Sequence, residues 1–259
     1  MTLTHSQISH FNEQGYLVVE DVLSTEEVAT YKRACDELST QARGLTESTD
    51  RFKLQVFEEK SPMVQQVGDP HEMSGTWLDL TKDPRLLDPV EDLLGPDIQL
   101  YYSQLMMKVP RQGFSAPWHQ DFAFFPHDGT KSLACTVAID DATLENGCLR
   151  VIPGSHKLGL LNHYKDGVFT GILQDFSSFD VETEVPLQAS AGSLLFWHSL
   201  TLHSSHPNRS DTPRRALVVE YKDPADRLLA GSFNARGEVR NIGLMVRGHD
   251  PSHDLMAPL

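Results

Sequence analysis

The chain has 259 residues and a formal net charge of −14 at pH 7, which is long enough for a single domain with a substantial apolar core. Hydrophobic residues make up 39% of the chain and charged residues 22%, a composition that excludes fibrous and intrinsically disordered proteins. Because this negative charge repels polyanions, we expect no nucleic-acid partner.

The cysteines and the N-terminal segment predict where the protein works. Cys35, Cys135 and Cys148 are odd in number and far apart, so we expect free thiols in a reducing compartment and no disulfide framework. The segment before Tyr16 has no basic or apolar region typical of an export signal, and no window approaches the roughly 18 apolar residues of a membrane span. We therefore expect a cytoplasmic protein without a membrane-spanning segment.

Two capping boxes predict helices near the N-terminus. Thr4 is followed three residues later by Gln7, and Ser24 is followed at the same spacing by Glu27; in each pair the two side chains can satisfy the free amides of a first helical turn. Apolar residues then recur at helical intervals, which predicts an amphipathic helix from about residue 25 to 41.

A further helix is predicted over the segment PRLLDPVEDLL. Asp83 and Pro84 have the residue types favoured at the N-cap and first helical position, and Gly95 is suited to the end of the helix. Pro89 lies inside the segment, where it removes a backbone hydrogen bond, so we expect a kink or a break at that point.

After Ile98 the sequence changes to short β-rich runs separated by Gly, Pro, Asn and Asp clusters. Helical crossovers between these runs are missing, which favours a sandwich or barrel over a wound α/β sheet. We predict a mainly β protein with flanking helices, and a jelly roll as its architecture. The predicted organisation is one domain over 1–259: a helix-rich part at 1–97, a β core at about 98–225 and a C-terminal extension at 226–259.

The segment from Trp118 to Phe125 contains the first candidate metal ligands. Its proline and aromatic residues favour an extended backbone, in which residues two apart point to the same side. His119 and Asp121 would then offer one imidazole nitrogen and one carboxylate oxygen to a single ion. A third neutral ligand would complete a 2-His-1-carboxylate triad, which leaves three positions of an octahedral Fe(II) open.

Three histidines compete to be that third ligand. His198, His203 and His206 follow one another in a second β-rich segment. If this segment is one continuous strand, His203 lies on the opposite face from the other two, but both faces carry apolar residues. Spacing alone therefore leaves the choice open.

Arg214 favours His203 as the third ligand. Iron held by two neutral imidazoles and one carboxylate keeps a net charge near +1, which suits an anionic bidentate co-ligand. A dicarboxylic 2-oxoacid would fill that role at one end and require a cation at the other. Arg214 begins the next β-rich run, eleven residues after His203, and arginine pairs with a carboxylate through two hydrogen bonds while remaining charged when buried.

Four elements follow one another along the chain: Trp118-His119-Gln120-Asp121, Asn146-Gly147-Cys148-Leu149, Pro153-Gly154-Ser155-His156-Lys157 and the spaced residues His203, Ser205, Asn208 and Arg214. With this order and spacing, the chain resembles the phytanoyl-CoA dioxygenase family of Fe(II)- and 2-oxoglutarate-dependent oxygenases over most of its length. The resemblance implies a double-stranded β-helix, the jelly roll of cupin-like proteins.

The resemblance also implies roles for individual residues. Its iron ligands would be His119, Asp121 and His203, and the distal carboxylate of 2-oxoglutarate would bind Arg214 with Ser205 beside it. Three further co-substrate contacts are implied: Gln104, Lys53 and Thr136. Such enzymes consume O₂ and release succinate and CO₂.

Two features bear on the reaction and its substrate. Thr136 occupies the aligned position of a tryptophan that lines the 2-oxoglutarate site in the phytanoyl-CoA enzyme, and the chain has no basic run to receive the negative charges of CoA. An acyl-CoA substrate is therefore disfavoured, and we expect another small organic molecule. Asp121 favours hydroxylation, because halogenating relatives replace this carboxylate with a small residue.

Two other classes of protein could use the same fold. A zinc hydrolase could hold its metal with the same His/Asp/His set, although it would have no need of Arg214. A non-catalytic cupin-like binding protein would not require all three ligands. Nothing in the sequence predicts an oligomeric state.

Overall fold

The structure, a computed structural model, describes residues 1–55, 62–111, 114–229 and 243–250. The α-helices of these residues lie before the main run of strands, as the sequence predicts. Within the described ranges they are α1 (His5–Gln14), α2 (Thr25–Gln41), α3 (Gly75–Thr81) and α4 (Pro84–Leu94).

Short antiparallel strands form the rest of the core. In chain order they are β1 (Tyr16–Val19), β2 (Phe52–Gln55), β3 (Met63–Gly68), β4 (Ile98–Lys108), β5 (Ala116–His119), β6 (Ser132–Ala138), β7 (Leu149–Val151), β8 (Tyr164–Lys165), β9 (Val168–Phe169), β10 (Val185–Leu187), β11 (Leu194–His198), β12 (His203–Ser205), β13 (Arg214–Lys222) and β14 (Leu244–Arg247).

Two sheets make up the barrel. The large sheet has the strand order β1-β11-β6-β13-β4-β3-β2, with β14 also paired to β4, and the small sheet has the order β10-β7-β12-β5. Strands that are distant in sequence lie side by side, as in a double-stranded β-helix. The predicted jelly roll with a helical N-terminal region is confirmed.

The central strand β13 shows how the large sheet separates the apolar core from the cavity. Leu217, Val219 and Tyr221 point outward into a core cluster shared with residues of α2, α3 and α4. The intervening residues point inward, and among them Arg214 and Glu220 line the interior cavity. This alternation follows from the two-residue period of a strand, and it directs the ionisable side chains of Arg214 and Glu220 toward the cavity.

The capping boxes are present at Thr4 and Ser24, at the starts of α1 and α2. The helix predicted after Asp83 is also present, but Pro89 does not break it. Leu86 and Val90 on the same helix are fully buried in the core, and this packing offsets the one hydrogen bond that the proline removes. The sequence reasoning did not predict α3.

The extended backbone expected over the aromatic run is only partly correct. The strand β5 ends at His119, Gln120 remains extended, and Asp121–Ala123 form a 3₁₀ turn. In this turn the Phe122 amide donates to the Ser199 carbonyl at 3.0 Å. Tertiary hydrogen bonds thus override the β propensity of the aromatic residues.

Some sequence predictions concern residues that the structure describes in part or not at all. The expected C-terminal extension at 226–259 lies largely outside the described ranges, and the division of the chain into domain parts stays a prediction. Among the described residues, no helix combines the length and the apolar character needed to cross a membrane. The cytoplasmic location and the lack of a nucleic-acid partner stay predictions as well.

Candidate metal centre

Neighbouring strands of the small sheet bring two histidines together. β12 pairs with β5 so that His203 lies directly opposite His119. Asp121 follows His119 across the extended Gln120 and therefore returns to the same side. One ligand atom from each of the three side chains lies within 4.8 Å of the others, and Asp121 Oδ1 is 3.7 Å from His119 Nε2 and 3.4 Å from His203 Nε2.

Backbone carbonyls orient both imidazoles. His119 Nδ1 lies 2.7 Å from the Pro117 carbonyl oxygen, and His203 Nδ1 lies 3.0 Å from that of Thr201. A carbonyl oxygen only accepts, so each Nδ1 carries the proton and each Nε2 presents a lone pair to the shared centre. Burial, together with the neighbouring His203, lowers the pKa of His119 to about 4, which keeps that ring neutral.

Asp121 is oriented by a tryptophan. The Trp197 indole Nε1 donates to Asp121 Oδ2 at 2.7 Å, which leaves Oδ1 facing the two imidazoles. Burial acts against the carboxylate form, but the neighbouring His203 and the Trp197 hydrogen bond lower the pKa of Asp121 to about 2. The centre therefore offers one ionised carboxylate beside two nitrogen donors.

This donor set fits a divalent transition metal. Two imidazole nitrogens and one carboxylate oxygen on one side of an ion form the triad used by non-haem Fe(II) oxygenases. Hydrogen bonds to the outer atoms of all three side chains hold that geometry in place. The remaining coordination positions would face a cavity of about 430 Å³.

The cavity also contains the other predicted site residues. Lys53, Gln104, Thr136, Ser205 and Arg214 all line it. Val218 on β13 pairs with Gln104 on β4 and with Thr136 on β6, so Gln104 and Thr136 lie on either side of it. Lys53 is exposed on β2, and its Nζ donates to the Thr49 carbonyl at 3.0 Å.

Arg214 is a buried cation with unused hydrogen-bonding capacity. Its Nη2 donates to the Gly147 carbonyl at 2.7 Å, while its buried Nε has no hydrogen-bond partner. Among the described residues, no acidic side chain forms an ion pair with it. Burial lowers the pKa of Arg214 to about 10, so the guanidinium remains charged at neutral pH and fits an incoming carboxylate.

The competing histidines lie elsewhere. His198 Nδ1 accepts a hydrogen bond from the Leu200 amide at 3.0 Å, and the His198 ring centre lies 5.4 Å from that of His156. His206 pairs with Arg150 outside the cavity. The parity argument over these histidines did not apply, because β11 ends at His198 and β12 begins at His203, with a turn between the two strands.

Sequence reasoning missed several cavity residues. Glu220 is fully buried, and the Tyr101 hydroxyl donates to its Oε2 at 3.1 Å. Burial, with Asp121 close by, raises the pKa of Glu220 well above its usual range. Strand alternation counted from Arg214 could have found this residue. The same alternation counted from Gln104 on β4 could have found Tyr102. No comparable signal marked the other missed lining residues, which include Gln66, Asp69, Phe125 and Trp197.

The sequence pattern that defines the phytanoyl-CoA dioxygenase (PhyH) family matches residues 11–216. This match covers most of the chain and includes every predicted ligand and co-substrate contact. The chain belongs to the phytanoyl-CoA dioxygenase family. It is an iron- and 2-oxoglutarate-dependent dioxygenase, and the zinc-hydrolase and binding-protein alternatives are not favoured.

Relatives with several different named activities match the chain. A probable alpha-ketoglutarate-dependent hypophosphite dioxygenase of Stutzerimonas stutzeri is 28% identical over 83% of this chain and 77% of its own length. An ectoine dioxygenase of Bordetella parapertussis is 27% identical over 85% and 75%. An L-proline trans-4-hydroxylase of Streptomyces griseoviridis is 26% identical over 82% and 83%.

Solved structures share the fold. EctD from S. alaskensis, solved with 2-oxoglutarate and 5-hydroxyectoine, superimposes with a TM-score of 0.74 at 24% identity, covering 96% of this chain and 84% of that one. The non-heme monooxygenase ThoJ superimposes with a TM-score of 0.75 at 25% identity, covering 94% and 84%. These similarities agree with the jelly roll described above.

Proposed function

We propose that the protein hydroxylates a small polar molecule, with Fe(II) held by His119, Asp121 and His203. The observation that carries the proposal is one shared cavity. It has three metal-ligand atoms within 4.8 Å of one another on its wall, together with Arg214, a guanidinium that has no acidic partner among the described residues.

Each group has a separate task. Iron with 2-oxoglutarate supplies the activation of O₂ and yields succinate and CO₂. Arg214 and the Ser205 hydroxyl would bind the distal carboxylate, which places the 2-oxo acid end toward the metal ligands. Gln104, Thr136 and Lys53 lie along the same cavity and are proposed to contact the co-substrate. Gln104 accepts a hydrogen bond from Gln66 at 2.6 Å.

The remaining cavity wall supports a small polar substrate. Its groups include the amide of Gln66, the phenol of Tyr102 and the carboxylate of Asp69. These groups can form specific hydrogen bonds with a polar molecule, while Met106, Phe124 and Phe125 on the same wall offer it apolar contacts. The relatives described above are named for ectoine, proline and hypophosphite, whereas others at similar identity are phytanoyl-CoA dioxygenases. The preference for a compact molecule therefore rests on this chain's own residues and not on its relatives.

The proposal is tested by adding Fe(II) and 2-oxoglutarate to the protein without oxygen. We expect a weak visible charge-transfer band, because the 2-oxo acid chelates the metal. Oxygenated mixtures with candidate metabolites should then release succinate faster in the presence of the true substrate. The proposal is wrong if no band forms and Zn(II) alone supports turnover without 2-oxoglutarate.

A further inference from the structure

Lys108 lies next to the proposed co-substrate site without being predicted as part of it. It ends β4, directly opposite Arg214 at the start of β13. Directly opposed residues on antiparallel strands present their side chains on the same face. Lys108 is fully buried, and its Nζ donates to Ser205 Oγ at 2.8 Å and to the His206 carbonyl.

Within the described residues, Lys108 has a positively charged neighbour and no carboxylate at ion-pair distance. Its neighbour Arg214 is a second buried cation, and among the described residues neither side chain forms an ion pair with a carboxylate. Burial, with the charge of Arg214 close by, lowers the pKa of Lys108 to about 6, so the lysine is largely neutral at pH 7 while the site is empty. A carboxylate bound beside it favours the protonated form, and Lys108 therefore acts as a cation in the liganded site. Two adjacent buried bases without a counter-ion are unfavourable, so this part of the protein is suited to an anion supplied from outside the chain.

The contact with Lys108 also determines what the Ser205 hydroxyl can do. A hydroxyl has one proton to donate and two lone pairs to accept with. The Ser205 oxygen accepts from Lys108, and within the described ranges its own proton is given to no protein acceptor. Ser205 lines the cavity, so this proton remains available to a ligand there.

Close packing brings these groups together. Gly147 has φ +78°, and an added Cβ would lie 3.2 Å from Lys108 Nζ and 2.1 Å from the His206 carbonyl oxygen. The same glycine accepts the hydrogen bond from Arg214 through its carbonyl. A residue without a side chain is therefore required where the two cations meet.

We infer that Lys108 is a positioning residue for the distal carboxylate of 2-oxoglutarate, acting through the Ser205 hydroxyl and through its charge behind that hydroxyl. This inference rests on the proposed function. It adds a second cation to the carboxylate site: Arg214 binds the carboxylate directly, and Lys108 aligns the serine that completes the site.

Lys222 provides a matched control. It is also fully buried and also ends a strand of the large sheet. Its Nζ donates to the backbone carbonyls of Asp223 and Asp226, away from the residues that line the cavity. Replacing it therefore removes a buried lysine without touching the proposed carboxylate site.

The test is an anaerobic titration of the Fe(II)-loaded protein, followed by the charge-transfer band. Two ligands are compared: 2-oxoglutarate, and 2-oxobutyrate, which keeps the chelating end but has a hydrogen atom in place of the distal carboxylate. For Lys108→Met we expect the Kd of 2-oxoglutarate to rise about tenfold, the scale of one hydrogen bond to a charged group. The Kd of 2-oxobutyrate should change less than about twofold, within the error of such a comparison.

Further variants separate charge from hydrogen bonding. Lys108→Gln keeps a donor for Ser205 but loses the charge, so it should weaken 2-oxoglutarate binding less than Lys108→Met does. In a Ser205→Ala background, Lys108→Met should raise the Kd of 2-oxoglutarate by a clearly smaller factor than in the wild type, because the two residues act together. Lys222→Met should leave the ratio of the two Kd values unchanged.

Two results would overturn the inference. In one, Lys108→Met leaves the affinity for 2-oxoglutarate unchanged; in the other, it weakens both ligands equally, which indicates a structural role. If Lys108→Met does not fold, the Kd values of 2-oxoglutarate and 2-oxobutyrate are compared in Lys108→Gln instead. A wild-type protein that forms no band with 2-oxoglutarate would instead refute the proposed function itself, and the role of Lys108 with it.

Discussion

On the outer face of the large sheet, Leu217 and Val219 pack under the helices, whereas on the inner face of the same strand Arg214 and Glu220 are removed from water to a similar degree. The outer residues find their partners within the chain. Arg214 on the inner face retains a buried donor without a partner. The outer face therefore contributes mainly to folding, and the inner face is built for ligands that arrive after folding.

The largest expected effect tests the inner face at the proposed metal. His203→Ala removes a nitrogen ligand, so iron should not be retained and turnover should fall by about 1,000-fold or more. Iron content after gel filtration and succinate production measure this. His198→Ala and His206→Ala are the controls and should keep the metal; if either loses it while His203→Ala does not, the ligand assignment is wrong.

The second effect tests the outer face. Leu217 is fully buried in the helix-facing cluster, and Leu217→Ala should lower the free energy of unfolding by about 3 kcal/mol through lost burial and a residual cavity. Chemical denaturation measures this loss. Turnover per folded molecule should stay close to that of the wild type, and a strong rise in the KM for 2-oxoglutarate would show that the two faces are not separable.

The third effect returns to the inner face at Arg214. Arg214→Lys keeps a positive charge but loses the planar pair of donors, so the KM for 2-oxoglutarate should rise on the order of 10- to 100-fold. Iron content should not change, since Arg214 contacts no proposed metal ligand. Steady-state kinetics with parallel metal analysis distinguish the two quantities, and an unchanged KM would contradict the proposed carboxylate site.

The smallest effect lies on the helical layer. Glu27 forms a bidentate pair with Arg85, at 3.0 and 2.6 Å, and this hydrogen-bonded pair lowers the pKa of Glu27 to about 2. Glu27→Gln keeps the capping box with Ser24 but removes the charge. The free energy of unfolding should fall by about 0.5 kcal/mol at neutral pH, a small loss because the pair is partly exposed.

The pH dependence of that pair has a defined sign. Because the folded-state pKa of Glu27 is depressed, the pair stabilises the protein fully above the ordinary pKa of about 4.3 for a free Glu. The difference in unfolding free energy between wild type and Glu27→Gln should shrink as pH falls from there toward 2. A difference that stays constant over this range would show that the ion pair contributes nothing.

The sequence predicted those helices whose capping residues lie within a few positions of one another. The capping boxes at Thr4 and Ser24 identified the starts of two helices, because these contacts involve neighbouring residues only. The short helix α3 was missed: it begins at Gly75, and its Ser74 N-cap makes no side-chain capping bond. Its Trp77 and Leu80 are instead buried by tertiary contacts.

The candidate site likewise contains residues that local sequence patterns could assign and one that they could not. His119 and Asp121 could be paired from sequence because a single extended residue separates them. Lys108 could not be assigned, since a lysine at a strand end before a proline is typical of an exposed position. Only the pairing of β4 with β13 places it beside Arg214.

The sequence by itself determined the family, the jelly roll, the residue types of a metal triad and an arginine for a second carboxylate, because these depend on motifs and on the strand period. The tertiary structure placed the predicted His203 directly opposite His119, and it placed Lys108 behind Ser205. Such contacts join residues about 80 to 100 positions apart, and their geometry depends on strand register and burial, which no local pattern contains.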